Sequence, residues 1–238
     1  MSFLIYCLGM KTALIAVAAL IIIGGGWWYY STTQVPAAVT EIETQQPTSI
    51  EGGTVVADGT YIVDTAQSKV SWAVGKPLIE GYINSGSIGL KDGTITVAAP
   101  TASGTFTIDM DTISVSATPT KPGKESSLEV HLKSDDFFDV AKYPTGSFKI
   151  TKVEAGAESA TTLTYTVTGD LTLKDKTLAI SFPAQIYQKD GMVHAHGEFT
   201  IDRTKWGLTY NSGTFFDNLA NNVIEDEIHL TLSAIATK

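Results

Sequence analysis

From residue 58 onward the apolar residues of this chain fall on alternate positions, and that period of two constrains the fold more than any other feature. Val70, Trp72 and Val74 alternate with Ser71 and Ala73; Phe106, Ile108 and Met110 alternate with Thr105, Thr107 and Asp109. Leu163, Tyr165 and Val167 alternate with threonines, and Leu178, Ile180 and Phe182 with Ala179 and Ser181. Near the C-terminus Ile228, Leu230, Leu232 and Ala234 alternate with Glu227, His229, Thr231 and Ser233. Successive side chains of a strand point to opposite faces, so the pattern predicts strands with one buried and one wet face.

Turn signals separate these runs: Asp92-Gly93, Gly156, Lys189-Asp190-Gly191 and Asn211-Ser212-Gly213. Seven to nine strands, with no helix long enough for a crossover, predict an all-β antiparallel fold, either a sandwich or an up-and-down barrel. A barrel of about eight strands holds one small ligand or is filled by its own side chains. Alternation fits both.

One segment breaks the pattern. Residues 123–139 form the single helical candidate, and Pro144 stops anything that would continue it. Within it Phe137 and Phe138 stand among Asp135, Asp136 and Asp139. Each ring gains roughly 1.5–3 kcal/mol when buried. The physical reading is a polar turn that plugs its aromatics into a neighbouring core.

The N-terminus reads differently. Residues 12–30 carry no charge, Lys11 precedes them, and Trp27, Trp28, Tyr29 and Tyr30 end the run. About 20 apolar residues span a bilayer, and aromatic residues gather at its interface. The segment predicts a single-pass transmembrane helix, with the N-terminus inside and the body on the periplasmic or extracellular side. A cleaved signal is the alternative, but Gly24-Gly25-Gly26-Trp27 makes a poor cleavage site. Translation from Met10 would also give the usual order of a basic and then an apolar region. Residues 31–57 are rich in Thr, Gln, Pro, Glu and Val and lack aromatics, which predicts a tether. The expected division is therefore anchor 1–30, linker 31–57 and barrel domain 58–238.

The net charge is −9, and beyond Lys11 the chain holds 15 basic against 25 acidic residues. Such a body has no electrostatic footprint for nucleic acid. It favours apolar over electrostatic contact with lipid. Cys7 is the single cysteine, so neither an intramolecular disulfide nor a cysteine-based metal site is expected.

Candidate chemistry is sparse. His194 and His196 share one strand face, a spacing that can chelate a metal. Val193, Ala195, Phe199 and Ile201 take the opposite parity and are apolar, so a solvated histidine face beside Glu198 is the better reading. His131 with Asp135 or Asp202 invites acid–base chemistry, yet no nucleophile stands in a recognised setting such as G-x-S-x-G. Arg203 suits bidentate phosphate binding, or a salt bridge to Asp202 or to the acids of 135–139. No catalytic residue, metal or cofactor is expected.

An ordered set of fragments carries a resemblance. They are Tyr61-Ile62-Val63-Asp64, Lys69-Val70-Ser71-Trp72 with Gly75-Lys76, and Gly104 to Met110. Sharpest is His131-Leu132-Lys133-Ser134 with Phe137-Phe138-Asp139 and Tyr143-Pro144. Gly169 to Leu173, Ile201-Asp202-Arg203 and Trp206-Gly207 complete the set. Together they resemble the YceI-like family of lipid-binding barrels over nearly all of 58–238. The chain departs from that pattern at Gly81-Tyr82 and Gly86-Ser87, where many members carry a Gly-His pair, and at Asp175-Lys176, where many carry a glycine.

The resemblance implies a lipocalin-like barrel, exported from a bacterial cytoplasm, that encloses a polyisoprenoid or similar long-chain amphiphile without catalysing a reaction. Its expected apolar lining is Trp72, Val74, Phe106, Ile108, Met110, Phe148, Tyr165, Ile180 and Phe182. His131 and Arg203 are the candidate headgroup contacts, with His131 read first as a helix-capping or packing residue and Arg203 first as a salt-bridge partner. The expected partners are the lipid and, through the N-terminal helix, the membrane; a homodimer is left open. The rival reading is a structural or protein-interaction barrel with a filled core.

Overall fold

A computed structural model describes residues 53–156 and 163–238 of the chain. The predicted transmembrane helix and most of the tether lie outside the described residues. Among those described, no helix is long and apolar enough to cross a membrane.

Nine strands form one closed antiparallel sheet. They are β1 (Gly59–Val63), β2 (Lys69–Gly75), β3 (Ile83–Ala98), β4 (Thr101–Ala117), β5 (Thr145–Ala155), β6 (Thr164–Leu173), β7 (Lys176–Lys189), β8 (Met192–Asp202) and β9 (Glu227–Thr237). β1 and β2 both run between β3 and β9, one after the other, so they share one position in the wall. The result is an eight-position up-and-down barrel, closed by the pairing of β3 with β4. Residues 64–68 bulge between β1 and β2. Ser68 fastens the bulge: its hydroxyl lies 3.3 Å from the Ile235 carbonyl and accepts from the Ile235 amide at 3.0 Å.

Closure explains the alternation. The inward parity of each strand faces a common interior and the outward parity meets water, which leaves no exposed sheet edge. Two expectations change. Asp92-Gly93 lies inside the long β3, not at a hairpin. The pairing slips by one residue between Leu90 and Asp92, and the chain reverses later, at Ala99-Pro100. Contacts with the barrel also begin ahead of Asp58, because Thr54 bridges to Gln188.

One end of the barrel, the hairpin end, carries among the described residues the turns at Ala99-Pro100 and Asp190-Gly191. The other carries the connections of residues 76–82, 118–144 and 203–226. We call this second end the crown. Its helix α1 (Glu125–Lys133) is shorter than the 123–139 expected. Ser134 ends it in an extended conformation, with its hydroxyl on the His131 carbonyl at 2.7 Å. Asp139 then takes a left-handed φ of 49°. Polar ties fix α1 to β4: Glu129 accepts from the Val115 amide at 2.8 Å, and Lys133 donates to the Asp111 carbonyl at 2.7 Å. Lys174, in the β6–β7 turn, donates to the Phe137 carbonyl at 2.9 Å.

Candidate functional site: the lumen and its crown

The barrel interior is not filled. It holds a cavity of about 710 Å³ that runs from Val56, Val97 and Pro100 at the hairpin end to α1 and the 203–226 loop at the crown. That size falls within the roughly 300–1,000 Å³ usual for small-molecule sites.

Of the residues expected to line it, Trp72 and Val74 on β2, Phe106 and Ile108 on β4 and Phe148 on β5 do so. So do Tyr165 on β6 and Ile180 and Phe182 on β7. Met110 is the exception. It is buried, but it packs with Ile113, Val140 and Phe138 between β4 and the plug segment. The strand leaves simple alternation at Asp109–Thr112, where the Thr112 hydroxyl takes the Gly89 amide and the β3–β4 pairing shifts.

The large aromatic residues leave room because glycines face them. An inward glycine on the adjacent strand lies under each ring: Gly86 under Trp72, Gly93 under Phe106, Gly169 under Phe148 and Gly197 under Phe182. A Cβ built on Gly86, Gly93 or Gly169 would come within 2.6, 2.9 and 2.5 Å of the facing ring. Each ring therefore lies along the wall in space a side chain would otherwise occupy. Phe182 also stacks on Phe199, with centroids 4.2 Å apart at 15°, and Phe148 leans on Phe182 at 5.8 Å. The alternation of apolar residues does not mark these glycines. Their signal was a glycine of inward parity in a strand whose neighbour presents an aromatic.

Polarity is unevenly placed. Lys76, Tyr82, Asn84, Lys121, His131 and Tyr210 line the cavity at the crown, while the hairpin end offers Thr101 and Tyr165 among alanines, valines and Pro100. Among the described residues no aspartate or glutamate lines the lumen, although the chain is acidic. Asn84 is buried and donates to the Tyr82 hydroxyl at 3.2 Å, and the Lys76 ammonium sits 5.0 Å from the Tyr82 ring centre.

His131 reaches this region from α1. It meets Asp136 at 3.0 Å, neither Asp135 nor Asp202, and packs edge-on against Phe137 and Tyr210 at 5.1 and 4.9 Å. Phe137 and Tyr210 lie 5.0 Å apart, so the three rings form one cluster joining α1 to the 203–226 loop. Phe137 is buried and Phe138 half-buried against the Met110 cluster, so the plug reading holds in full for the first ring and in part for the second.

Arg203 borders the lumen and is 2% exposed. Its guanidinium is committed to the loop that follows it. It donates to the carbonyls of Leu208, Ile224 at 3.2 Å and Glu225 at 2.9 Å. Its ion-pair partner is Asp226 at 3.3 Å, not Asp202 or the acids of 135–139. Asp202 instead accepts from the Thr204 amide at 3.0 Å, capping a short 3-10 turn. Trp206 ends that turn buried, donating to the Leu171 carbonyl at 3.1 Å. Burial lowers the Arg203 pKa from its ordinary value, and Asp226 and then Asp202 oppose the shift. Phosphate binding would have to break this set of bonds, so the arginine is a clamp on the loop.

His194 and His196 sit on the outer wall. His194 stacks on Tyr187 at 5.1 Å, and His196 lies 3.5 Å from Glu198. Val193, Ala195, Phe199 and Ile201 face the lumen. Among the described residues no three metal-ligating side chains come together.

A family model for the YceI-like domain matches residues 61–236. Among solved structures, BcnA of Burkholderia cenocepacia is similar at 22% identity, with a TM-score of 0.54, over 74% of this chain and 99% of that one. A polyisoprenoid binding domain from Saccharophagus degradans, implicated in plant cell wall breakdown, is similar at 16% identity and a TM-score of 0.55, over 74% and 97%. At these identities the likeness concerns the fold. No curated protein sequence matches the chain.

Proposed function

The chain belongs to the YceI-like family, and on that premise we propose that it binds, without catalysis, a polyisoprenoid or similar long-chain amphiphile in its barrel and displays it outside the cytoplasmic membrane. The single observation that carries this reading is the open apolar lumen kept clear by aromatic rings laid over glycines. A barrel built for structure alone gains by filling its interior, since each buried CH₂ contributes about 0.8 kcal/mol. An unfilled apolar tube forgoes that stabilisation until a chain enters it.

The tail lies toward the hairpin end, whose lining is apolar, and the head lies at the crown beside Tyr82, Asn84 and His131. Because lysines and, among the described residues, no carboxylates face the lumen, a head that accepts hydrogen bonds is favoured over a cationic one. His131 contributes one edge of that pocket, while Arg203 shapes it by holding the loop. The pairing of His131 with Asp136 rather than with a nucleophile supports binding over catalysis. Residues 12–30 supply the membrane anchor in this reading, with the domain on the periplasmic or extracellular side.

Native mass spectrometry of the chain purified from its own host tests the proposal. A bound mass that extracts as a long-chain lipid is expected. Protein free of lipid that also takes up no added prenol would overturn it.

A further inference from the structure

The 203–226 loop shows an unusual use of a buried cation. The Arg203 guanidinium binds carbonyls at both ends of the loop, those of Leu208 on one side and Ile224 and Glu225 on the other. Thr214 adds a 2.6 Å bond from its hydroxyl to Asp226. Ser212, fully buried, accepts the amides of both Phe215 and Phe216 at its carbonyl. The loop is thus held in one shape, and that shape presents Phe215 and Phe216 at 55% and 50% exposure. Leu78, on the neighbouring connection, and Ile83, which opens β3 beside it, are 61% and 42% exposed. The two connections are joined at Gly75 and Glu225, where the Glu225 amide donates to the Gly75 carbonyl at 3.1 Å and the Gly75 amide donates to the Glu225 carboxylate at 3.0 Å.

Four large apolar side chains therefore stand in water on one rim of the barrel, and the same loop lines the lumen through Leu208, Tyr210 and Ile224. Exposed apolar groups gathered at one place mark a contact surface. We propose that this rim inserts into the surface of a lipid bilayer, so that an apolar path runs from the membrane over Phe215 and Phe216 into the lumen. The inference rests on the lipid-binding reading above. Two observations select a bilayer as the occupant. The rim is continuous with an apolar lumen, so one medium suits both surfaces. The chain enters the barrel at the far, hairpin end, where Thr54 pairs with Gln188. Residues 31–52, fully extended, reach roughly 70 Å. Even β4, the longest strand at 17 residues, rises only about 57 Å. The crown is therefore within reach of the membrane that the anchor would occupy. Insertion is apolar in kind, because Asp217 follows Phe216 and Glu80, two residues after Leu78, offsets Lys76 on the same connection, so anionic lipid adds nothing.

Nitroxide labelling of the full chain tests this. Cys7→Ser removes the single native thiol, and Phe216→Cys or, independently, Leu78→Cys places a label on the rim. Ser103→Cys, exposed at the hairpin end, is the control. In vesicles of phosphatidylethanolamine, with or without phosphatidylglycerol, labels at 216 and 78 should lose collisions with a water-soluble nickel complex and gain them with oxygen, relative to 103. Equal nickel access at all three sites overturns the proposal. So does spin–spin broadening at 216, which would seat a second copy there, and so does insertion that needs phosphatidylglycerol. A label at Ile22→Cys reports the anchor separately: water access there with 216 inserted overturns the anchoring reading alone. Lipid carried by the purified chain is measured by mass, so failure of the binding reading is also distinguishable.

Discussion

Trp72 lies across Gly86. The two residues are directly paired between β2 and β3, and the indole fills the place a side chain at 86 would take. A Cβ there would stand 2.6 Å from the Trp72 ring and 1.9 Å from the carbonyl oxygen of Ser114 on β4. A residue as small as alanine cannot be added without moving either the wall or the indole. Gly86→Ala is therefore expected to cost about 1–3 kcal/mol through overpacking and to tip Trp72 into the lumen. Denaturant unfolding gives the first quantity and the emission maximum of Trp72, against a Trp72→Phe reference, gives the second. Wild-type stability with an unmoved spectrum would show that the contact is not tight.

If the lumen holds a lipid tail, obstructing it should abolish binding at small cost to the fold. Ala195 and Ala102 line the cavity from β8 and β4. Ala195→Phe and Ala102→Phe each add a ring inside an existing space rather than inside packed core. Both variants are expected to melt near wild type and to carry less lipid on native mass spectrometry. Undiminished lipid in both would place the ligand somewhere other than this lumen.

Much of this architecture is legible in residue order because a closed barrel has only two environments, and alternation reports which face is which. Val193, Ala195, Phe199 and Ile201 face inward and His194 and His196 outward for that reason alone. Three features were not legible, each through a different physics. Asp92-Gly93 has the composition of a turn, but Gly93 is needed because Val63 and Phe106 occupy its side-chain space. Met110 has inward parity, yet α1 and Val140 cover it, and helix placement is not written in strand periodicity. Arg203 pairs mainly with carbonyl groups, which every residue possesses, so no side-chain pattern could name Leu208, Ile224 and Glu225 as its partners.

Acid should loosen the start of α1. Thr118 Oγ1 lies 2.7 Å from the Glu125 carboxylate, and this bond, followed by amides of the same turn, holds the Glu125 pKa below its ordinary value. A carboxyl with a lowered folded-state pKa stabilises the fold above its unfolded value, and that contribution is lost as pH falls through the folded value. The effect is local, since Glu125 is solvated. A carboxyl NMR titration of Glu125 should therefore show a lowered midpoint that Thr118→Val returns toward normal, with faster amide exchange in α1 at acid pH. An unchanged midpoint in Thr118→Val would remove Thr118 as the cause.

Arg203 should matter more for stability than any other charged residue described here, because it is the one cation with almost no contact with water. Removing it strands three backbone carbonyls and the Asp226 carboxylate in a region that the 203–226 loop has dried. Breaking a buried pair by deleting one partner costs about 3–5 kcal/mol, and Asp226, at 24% exposure, recovers part of that by rehydration. Arg203→Met is expected to destabilise the barrel toward the lower end of that range and to release Phe215 and Phe216 from their fixed turn. Arg203→Lys keeps the charge but cannot fork toward Leu208, Ile224 and Glu225 together, so it should rescue little. Urea unfolding of both variants, with amide exchange across residues 207–226, measures the two effects. Full rescue by lysine would mean that charge, not the forked hydrogen-bond geometry, holds the loop.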